Sequence, residues 1–85
     1  RNVTHTHILS EVSLNYASAE HANIARKSLE VDKELQPDKV EKSFQVKSNV
    51  LVVTFKAIDA RMLRVSLSSF FDMALVVSRT LAEFS

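Results

Sequence analysis

The last third of the sequence, residues 58–84, is apolar around more of a helical circumference than one small domain needs. At about 100° per residue, two apolar stripes follow this segment, and they lie about a third of a turn apart. A helix on the surface of a single domain needs only one stripe of roughly 100°. The first stripe consists of Leu63, Leu67, Phe70, Ala74, Val77 and Leu81, and the second consists of Met62, Val65, Ser66, Ser69, Met73, Val76 and Thr80.

The second stripe predicts contact with a helix of another protein. Ser66 and Ser69 are small enough to let a partner helix approach closely, and Met62 and Met73 can adapt to an irregular surface. The alternative is that an extended loop or the N-terminal segment of the same chain covers this stripe. Charged residues are confined to one wedge of the helix, which contains Arg64, Asp72, Arg79 and Glu83.

The composition excludes several functional classes. The chain has 85 residues, 46% of them hydrophobic, which predicts one globular domain over residues 1–85. It contains no cysteine and therefore no disulfide framework or thiolate zinc site, and no glycine and therefore no glycine-rich phosphate loop. No apolar run approaches ~18 residues, so we expect no membrane span and no signal peptide. The start at Arg1 rather than Met is expected of a trimmed N-terminus, and residues 1–5 are expected to fray.

The first half of the chain shows a strand pattern followed by a helix pattern. Apolar residues fall on even positions from residue 6 to residue 16, which predicts a half-buried strand. Ser18 is a candidate N-cap for a short helix that ends near Leu29 or Val31 and whose inward residues are mostly alanine. The polar segment 32–38 is expected to be a loop.

Two further strands form a predicted hairpin. Residues 39–47 alternate, and residues 50–57 are apolar on both faces, which is typical of a central strand. Ser48 and Asn49 form the connecting turn, in which Asn49 is expected to adopt the positive φ that glycine would otherwise supply. Asp59 is then expected to cap the long helix.

These elements predict an α+β fold in the order β-α-β-β-α, similar to a KH domain. Its three-stranded antiparallel sheet carries both helices on one face. The third strand is placed in the middle, because the first helix can then cross over in the usual right-handed sense. Dimerisation is expected at the exposed sheet face or at an edge strand.

Three segments of the chain follow more specific patterns. Residues 34–37 are Glu-Leu-Gln-Pro, residues 50–55 are Val-Leu-Val-Val-Thr-Phe, and residues 58–69 combine an acidic cap, two arginines and small residues. These segments resemble the Pcc/CTAG family, the small dimerising subunit of the KEOPS (EKC) complex. The resemblance extends from about residue 5 to residue 84 in the same order of elements.

The resemblance implies a role in tRNA modification. The KEOPS complex makes threonylcarbamoyladenosine next to the anticodon of tRNA, and its catalytic work belongs to a separate subunit with an ASKHA-type ATPase fold. A Pcc-type subunit is then a non-catalytic scaffold that binds this catalytic subunit through its helices and assists tRNA binding. It dimerises with a second copy of itself or with a small, partly disordered subunit. The resemblance further implies a location in cytoplasm and nucleus, with transcription regulation and telomere maintenance as consequences of the complex.

Two arginines near the start of the long helix match an Arg-x-x-Arg spacing of the family. The resemblance implies that Arg61 and Arg64 contact RNA phosphate or a carboxylate of the partner. The alternative is an ion pair within the chain, of Arg61 with Asp59 or of Arg64 with Asp72. Lysines are candidates for an extended RNA-binding surface, but the net charge of only +1 and the acidic residues interleaved with them favour a solvated face. The lysine candidates are Lys42, Lys47 and Lys56.

The alternative function is a stand-alone KH-like RNA-binding module. Such a module needs a basic or aromatic exposed face, whereas a subunit needs excess apolar surface, and this sequence shows the apolar surface. We expect no catalytic, cofactor or metal site. The three histidines, His5, His7 and His21, have no further ligand at a suitable spacing.

Overall fold

The computed structural model describes residues 7–31 and 39–84. They form five elements: β1 (Ile8–Asn15), α1 (Ala19–Glu30), β2 (Val40–Lys47), β3 (Val50–Ala57) and α2 (Ala60–Phe84). The α+β class and the β-α-β-β-α order predicted from the sequence are confirmed. The predictions for residues 1–5 and for the 32–38 loop lie outside the described residues.

The three strands form one antiparallel sheet with β3 in the middle, as the right-handed crossover predicts. Val12 of β1 and Phe44 of β2 both align with Val53 of β3. Because successive side chains of a strand alternate between the two faces, these three residues share the face that the helices cover. The same face carries every even-numbered residue of β1 and β2.

The central strand supplies much of the core. Leu51, Val53, Phe55 and Ala57 are fully buried beneath the helices. On the opposite face of the sheet, Val50, Val52 and Thr54 are half-buried. The prediction of a central strand that is apolar on both faces is therefore confirmed.

The β2–β3 turn consists of Ser48 and Asn49, but the positive φ falls on the first of them. Ser48 has a φ of 59°, at the position where a type II′ turn needs positive φ. Asn49 instead binds the end of β1: its side-chain amide donates to the Tyr16 carbonyl (2.7 Å), and its own carbonyl accepts from the Tyr16 N–H (2.9 Å). The prediction that Asn49 adopts the positive φ is wrong, because its role is to extend the β1–β3 pairing.

Helix α1 begins at the predicted cap and is held by small residues. The Ser18 hydroxyl accepts a hydrogen bond from the His21 N–H (3.1 Å). Ala22, Ala25 and Leu29 are at most 2% exposed. Because two of these three side chains are single methyl groups, the helix backbone lies close to β2 and β3, which it contacts together with α2.

Helix α2 is held to the sheet by the first apolar stripe. It begins after Asp59, whose carboxylate accepts a hydrogen bond from the Met62 N–H (2.8 Å), so the predicted cap is confirmed. Phe70 is 3% exposed. Its ring meets that of Phe55 edge-on, with the centroids 5.3 Å apart, and that of Phe44 at 6.3 Å. The remaining members of the first stripe are buried or pack half-buried against this core.

Helix α2 is also unusually apolar for its length. By length and composition alone, Ala60–Glu83 would be able to cross a membrane. A helix that packs against a core on one stripe and carries further apolar residues outside it has the same composition. The absence of a membrane span stays a prediction.

Candidate protein interface on helix α2

Five residues of the predicted second stripe are exposed on α2. Val65 and Val76 are each 57% exposed and Met73 is 38% exposed, and Ser69 and Thr80 are exposed as well. Exposed apolar surface costs about 25 cal/mol per Å² compared with burial. No residue within 7–31 or 39–84 covers these side chains. The N-terminal segment and the 32–38 loop, which were the alternative cover, lie outside the described residues.

Two predicted members of the second stripe lie on the core side of the helix. Ser66 is 3% exposed, and its hydroxyl oxygen is buried without a hydrogen-bond partner. Met62 is half-buried and packs against the core. The arc of α2 that the rest of the chain covers is therefore wider than the first stripe alone. The prediction that Ser66 belongs to a partner interface is wrong for this reason.

The exposed second stripe borders a groove between the two helices. Ile24 of α1 is 42% exposed at this groove. The sequence analysis considered only the inward residues of α1 and missed this contribution, although an isoleucine one turn before Ser28 was a usable signal. The groove is lined by Ile24 and Ser28 of α1 and by Val76, Val77, Thr80 and Leu81 of α2.

A second apolar surface lies on the other side of the charged wedge of α2. Phe71 is 46% exposed and Leu75 is 51% exposed. The sequence analysis missed this surface, because the two residues lie between the first stripe and the charged wedge and belong to neither. Their four-residue spacing was the available signal. At about 100° per residue, six positions share this side of the helix, here named the Phe71 flank: Arg64, Ser68, Phe71, Leu75, Ser78 and Ala82.

The two arginines predicted to bind a partner are exposed at the N-terminal end of α2. Neither Arg61 nor Arg64 forms an ion pair with any residue of the described ranges. Asp59, the partner considered for Arg61, binds the N-terminal backbone of the helix instead. Both guanidinium groups therefore remain able to bind a carboxylate or a phosphate of another molecule.

The three candidate lysines do not form one surface. Lys42 is half-buried on the helix-covered face of the sheet, as its even position in β2 requires. Lys47 and Lys56 lie on the opposite face, but Lys47 pairs with Val50 beside the turn and Lys56 lies near the far end of β3. The sheet thus presents no concentrated row of cations for a phosphate backbone.

The described part of the chain offers no cluster of metal-ligating side chains. Among residues 7–31 and 39–84, no three His, Asp or Glu side chains lie close enough to hold a metal ion. His5 lies outside the described residues.

Taken from its fold and surface, this is a small β-α-β-β-α domain whose long helix carries more apolar surface than residues 7–31 and 39–84 cover. That combination defines a subunit of a protein complex. The sequence of residues 10–82 matches the family described as "Transcription factor Pcc1". The chain belongs to the Pcc1 family, which confirms the resemblance stated from the sequence.

Two relatives of the chain are named as KEOPS subunits. The chain is 37% identical over 73 residues to the EKC/KEOPS complex subunit LAGE3 of Homo sapiens, covering 86% of this chain and 51% of that protein. It is 36% identical over 62 residues to the EKC/KEOPS complex subunit PCC1 of Saccharomyces cerevisiae, covering 73% of this chain and 70% of that protein. The chain therefore spans about half the length of its human relative.

A solved structure supports the same family and the same fold. The chain superimposes on a chain of the crystal structure of the binary complex Gon7-Pcc1 with a TM-score of 0.84 and 29% sequence identity. The match covers 92% of this chain and 96% of the other. That relative is thus a member of a two-protein complex.

Proposed function

We propose that this chain is a non-catalytic scaffold subunit of a KEOPS complex, which binds the catalytic subunit through α2 and the groove beside it. The observation that carries this proposal is the exposed second stripe of α2. Its members recur every three or four residues, the spacing with which one helix docks on another. The hydroxyl side chains of Ser69 and Thr80 stand among apolar Val65, Met73 and Val76. The names of the two relatives support the complex, and the apolar surface supports the mode of binding.

The partner on this surface is expected to be a helix of the ASKHA-fold catalytic subunit. The stripe continues into the groove between α1 and α2, so that a docked helix would contact both helices at once and complete a bundle. Exposed Ile24 at the groove would then be covered together with Val76. This arrangement would bury the apolar surface that the isolated chain leaves in water.

The role in tRNA modification follows from membership of the complex rather than from a reactive group of this chain. The subunit supports threonylcarbamoyladenosine formation by holding the catalytic subunit and by assisting tRNA binding, to which Arg61 and Arg64 would contribute. It takes no part in catalysis. Its location is cytoplasm and nucleus, with effects on transcription and telomeres as consequences of the complex. The second subunit beside it is a second copy or a small, partly disordered protein.

A stand-alone RNA-binding module is the alternative function, and the structure supports it less. The candidate lysines are divided between two faces of the sheet. RNA binding by the isolated chain should therefore be weak and should fall steeply as salt is raised.

A single charge on the second stripe tests the scaffold proposal. Met73→Glu should lower the affinity for the KEOPS catalytic subunit by at least about a hundredfold, because it places a carboxylate in the apolar contact. The free variant should still melt cooperatively, since Met73 lies outside the core. Ser69→Arg should act in the same way through its bulk. Affinity is measured by calorimetry and folding by circular dichroism.

The matched control is Ser43→Glu, which adds the same charge on the exposed face of the sheet. It should leave the affinity unchanged. Equal affinities of Met73→Glu and Ser43→Glu would remove the second stripe from the interface. If Met73→Glu unfolds, Met73 belongs to the core rather than to an exposed interface, which would also contradict the proposal.

A further inference from the structure

We propose that the sulfur of Met73 is a modification site, whose oxidation to the sulfoxide by hydrogen peroxide stops the free chain from binding the catalytic subunit. This inference rests on the proposed function, because it makes Met73 the point at which binding through the second stripe is regulated. Its first support is the distribution of sulfur in the chain, which has two methionines and no cysteine. No thiol of this chain therefore reacts with peroxide before the methionines do.

The two methionines differ in their surroundings. Met73 is 38% exposed on the second stripe, whereas Met62 is half-buried and packs against the core. Oxidation by peroxide requires contact between the sulfur and the oxidant, so that an exposed methionine reacts faster. The Phe71 flank contains no sulfur. Oxidation would therefore change only one of the two exposed apolar surfaces of α2, the one that the proposed function uses.

The reaction is a two-electron transfer of oxygen from peroxide to sulfur. A lone pair of the Met73 sulfur attacks one peroxide oxygen, so that an S–O bond forms while the O–O bond breaks. The departing hydroxide accepts the proton of the transferred hydroxyl group and leaves as water. Methionine sulfoxide reductases reverse the change: thiols supply two electrons, and the sulfoxide oxygen leaves as water. The modification is therefore reversible.

The neighbours of Met73 on α2 offer a docked sulfoxide few hydrogen bonds. The residues three and four positions away are Ser69, Phe70, Val76 and Val77. The Ser69 hydroxyl can replace only one of the water molecules that solvate a sulfoxide oxygen. Arg79, at the other edge of the second stripe, lies about a third of a turn around the helix and ~9 Å along its axis from Met73. Because burial of a polar group without its hydrogen bonds is costly, the sulfoxide opposes docking.

The same arrangement makes the state of assembly decide whether Met73 is oxidised. In the free chain the sulfoxide stays in water and leaves the core intact, because Met73 lies outside that core. In the complex the partner helix would cover Met73 and keep peroxide away. Peroxide would thus withdraw free chains from assembly without dismantling complexes already formed, and sulfoxide reductases would return them.

Peptide mapping by mass spectrometry tests the site of oxidation. The free chain in dilute hydrogen peroxide should gain one oxygen atom at Met73 at least about tenfold faster than at Met62. The chain oxidised at Met73 should melt at the same temperature as the untreated chain, as circular dichroism measures. Equal rates at the two methionines, or a marked loss of thermal stability, would overturn the proposal.

Calorimetry tests the effect on binding, with the peroxide removed before the KEOPS catalytic subunit is added. The oxidised chain should bind about ten- to a hundredfold more weakly than the untreated chain, and methionine sulfoxide reductases should restore the affinity. Peroxide should not change the affinity of Met73→Leu from its untreated value, whereas Met62→Leu, the matched control, should stay sensitive. Unchanged affinity of the oxidised chain, or a peroxide-sensitive Met73→Leu, would overturn the inference.

The Met73→Glu variant separates the failure of this inference from the failure of the proposed function. If Met73→Glu binds the catalytic subunit as tightly as the unchanged chain, the second stripe is not the interface and both proposals fail. If Met73→Glu loses binding while the oxidised chain retains it, the proposed function stands and only the regulation by oxidation is excluded.

Discussion

Helices α1 and α2 pack on the same face of one sheet, but they differ in how much of their surface the described part of the chain covers. The inward side of α1 is made of Ala22, Ala25 and Leu29, and little apolar surface remains outside the groove. The inward side of α2 is anchored by Phe70, and apolar residues remain exposed on both sides of its charged wedge. A helix that serves only its own domain has one apolar side, whereas α2 carries further exposed apolar residues outside the side that packs on the sheet, as the proposed docking of another protein requires.

The largest test of this comparison uses two adjacent phenylalanines. Phe70→Ala should lower the free energy of unfolding by about 3–5 kcal/mol, because it removes a buried ring at the centre of the core. Phe71→Ala should lower it by only about 1–2 kcal/mol, since that ring is 46% exposed and its buried part meets the Phe70 ring edge-on, with the centroids 5.9 Å apart. Urea denaturation of both variants measures the difference. Similar losses would mean that Phe71 belongs to the fold rather than to an interface.

A smaller test compares the two helix caps. Ser18→Ala and Asp59→Ala should each lower the free energy of unfolding by about 1 kcal/mol, because each leaves one backbone N–H at a helix start without its acceptor. The loss from Asp59→Ala should shrink in high salt, since a carboxylate also interacts with the helix dipole. The loss from Ser18→Ala should not change. Thermal melts at low and high salt distinguish the two, and equal salt dependence would contradict the assignment of a charged cap to α2 alone.

The smallest expected effect is a gain of stability on the core side of α2. Ser66 holds a buried hydroxyl without a hydrogen-bond partner, which is costly in an apolar environment. Ser66→Ala should therefore stabilise the fold by about 1 kcal/mol more than Ser69→Ala, which changes only helix propensity at an exposed position. Urea midpoints measure both. A destabilised Ser66→Ala would show that the hydroxyl has a partner in solution.

The elements of this fold were predictable because each has a local physical signal. Alternation marks β1 and β2, an apolar run marks β3, and Ser18 and Asp59 mark the helix starts. The handedness of the crossover places β3 in the middle. The core side of α2 was predictable from its spacing of apolar residues, since Phe70 and its neighbours on the first stripe recur every three or four positions.

The boundaries of the candidate interface were not predictable from the sequence. Helical periodicity gives the angle of each side chain but not the width of the arc that neighbouring elements cover, and Ser66 falls just inside that arc. Phe71 and Leu75 were overlooked because two apolar residues next to charged ones are too few to form a periodic stripe along the helix. Lys42 was grouped with the other lysines by residue type, although its even position already placed it on the covered face.

The β2–β3 turn shows how this chain folds without glycine. Ser48 adopts a left-handed conformation that a residue with a Cβ enters only at some cost. An average chain of this length would contain about six glycines, and each would add backbone entropy to the unfolded state, worth roughly 0.5–1 kcal/mol relative to alanine. The absence of glycine thus has two opposite effects on the free energy of unfolding. It destabilises the folded state at the Ser48 turn, and it lowers the conformational entropy of the unfolded chain. Part of the stability of this domain therefore comes from the restricted conformational freedom of its unfolded chain rather than from contacts in the folded state.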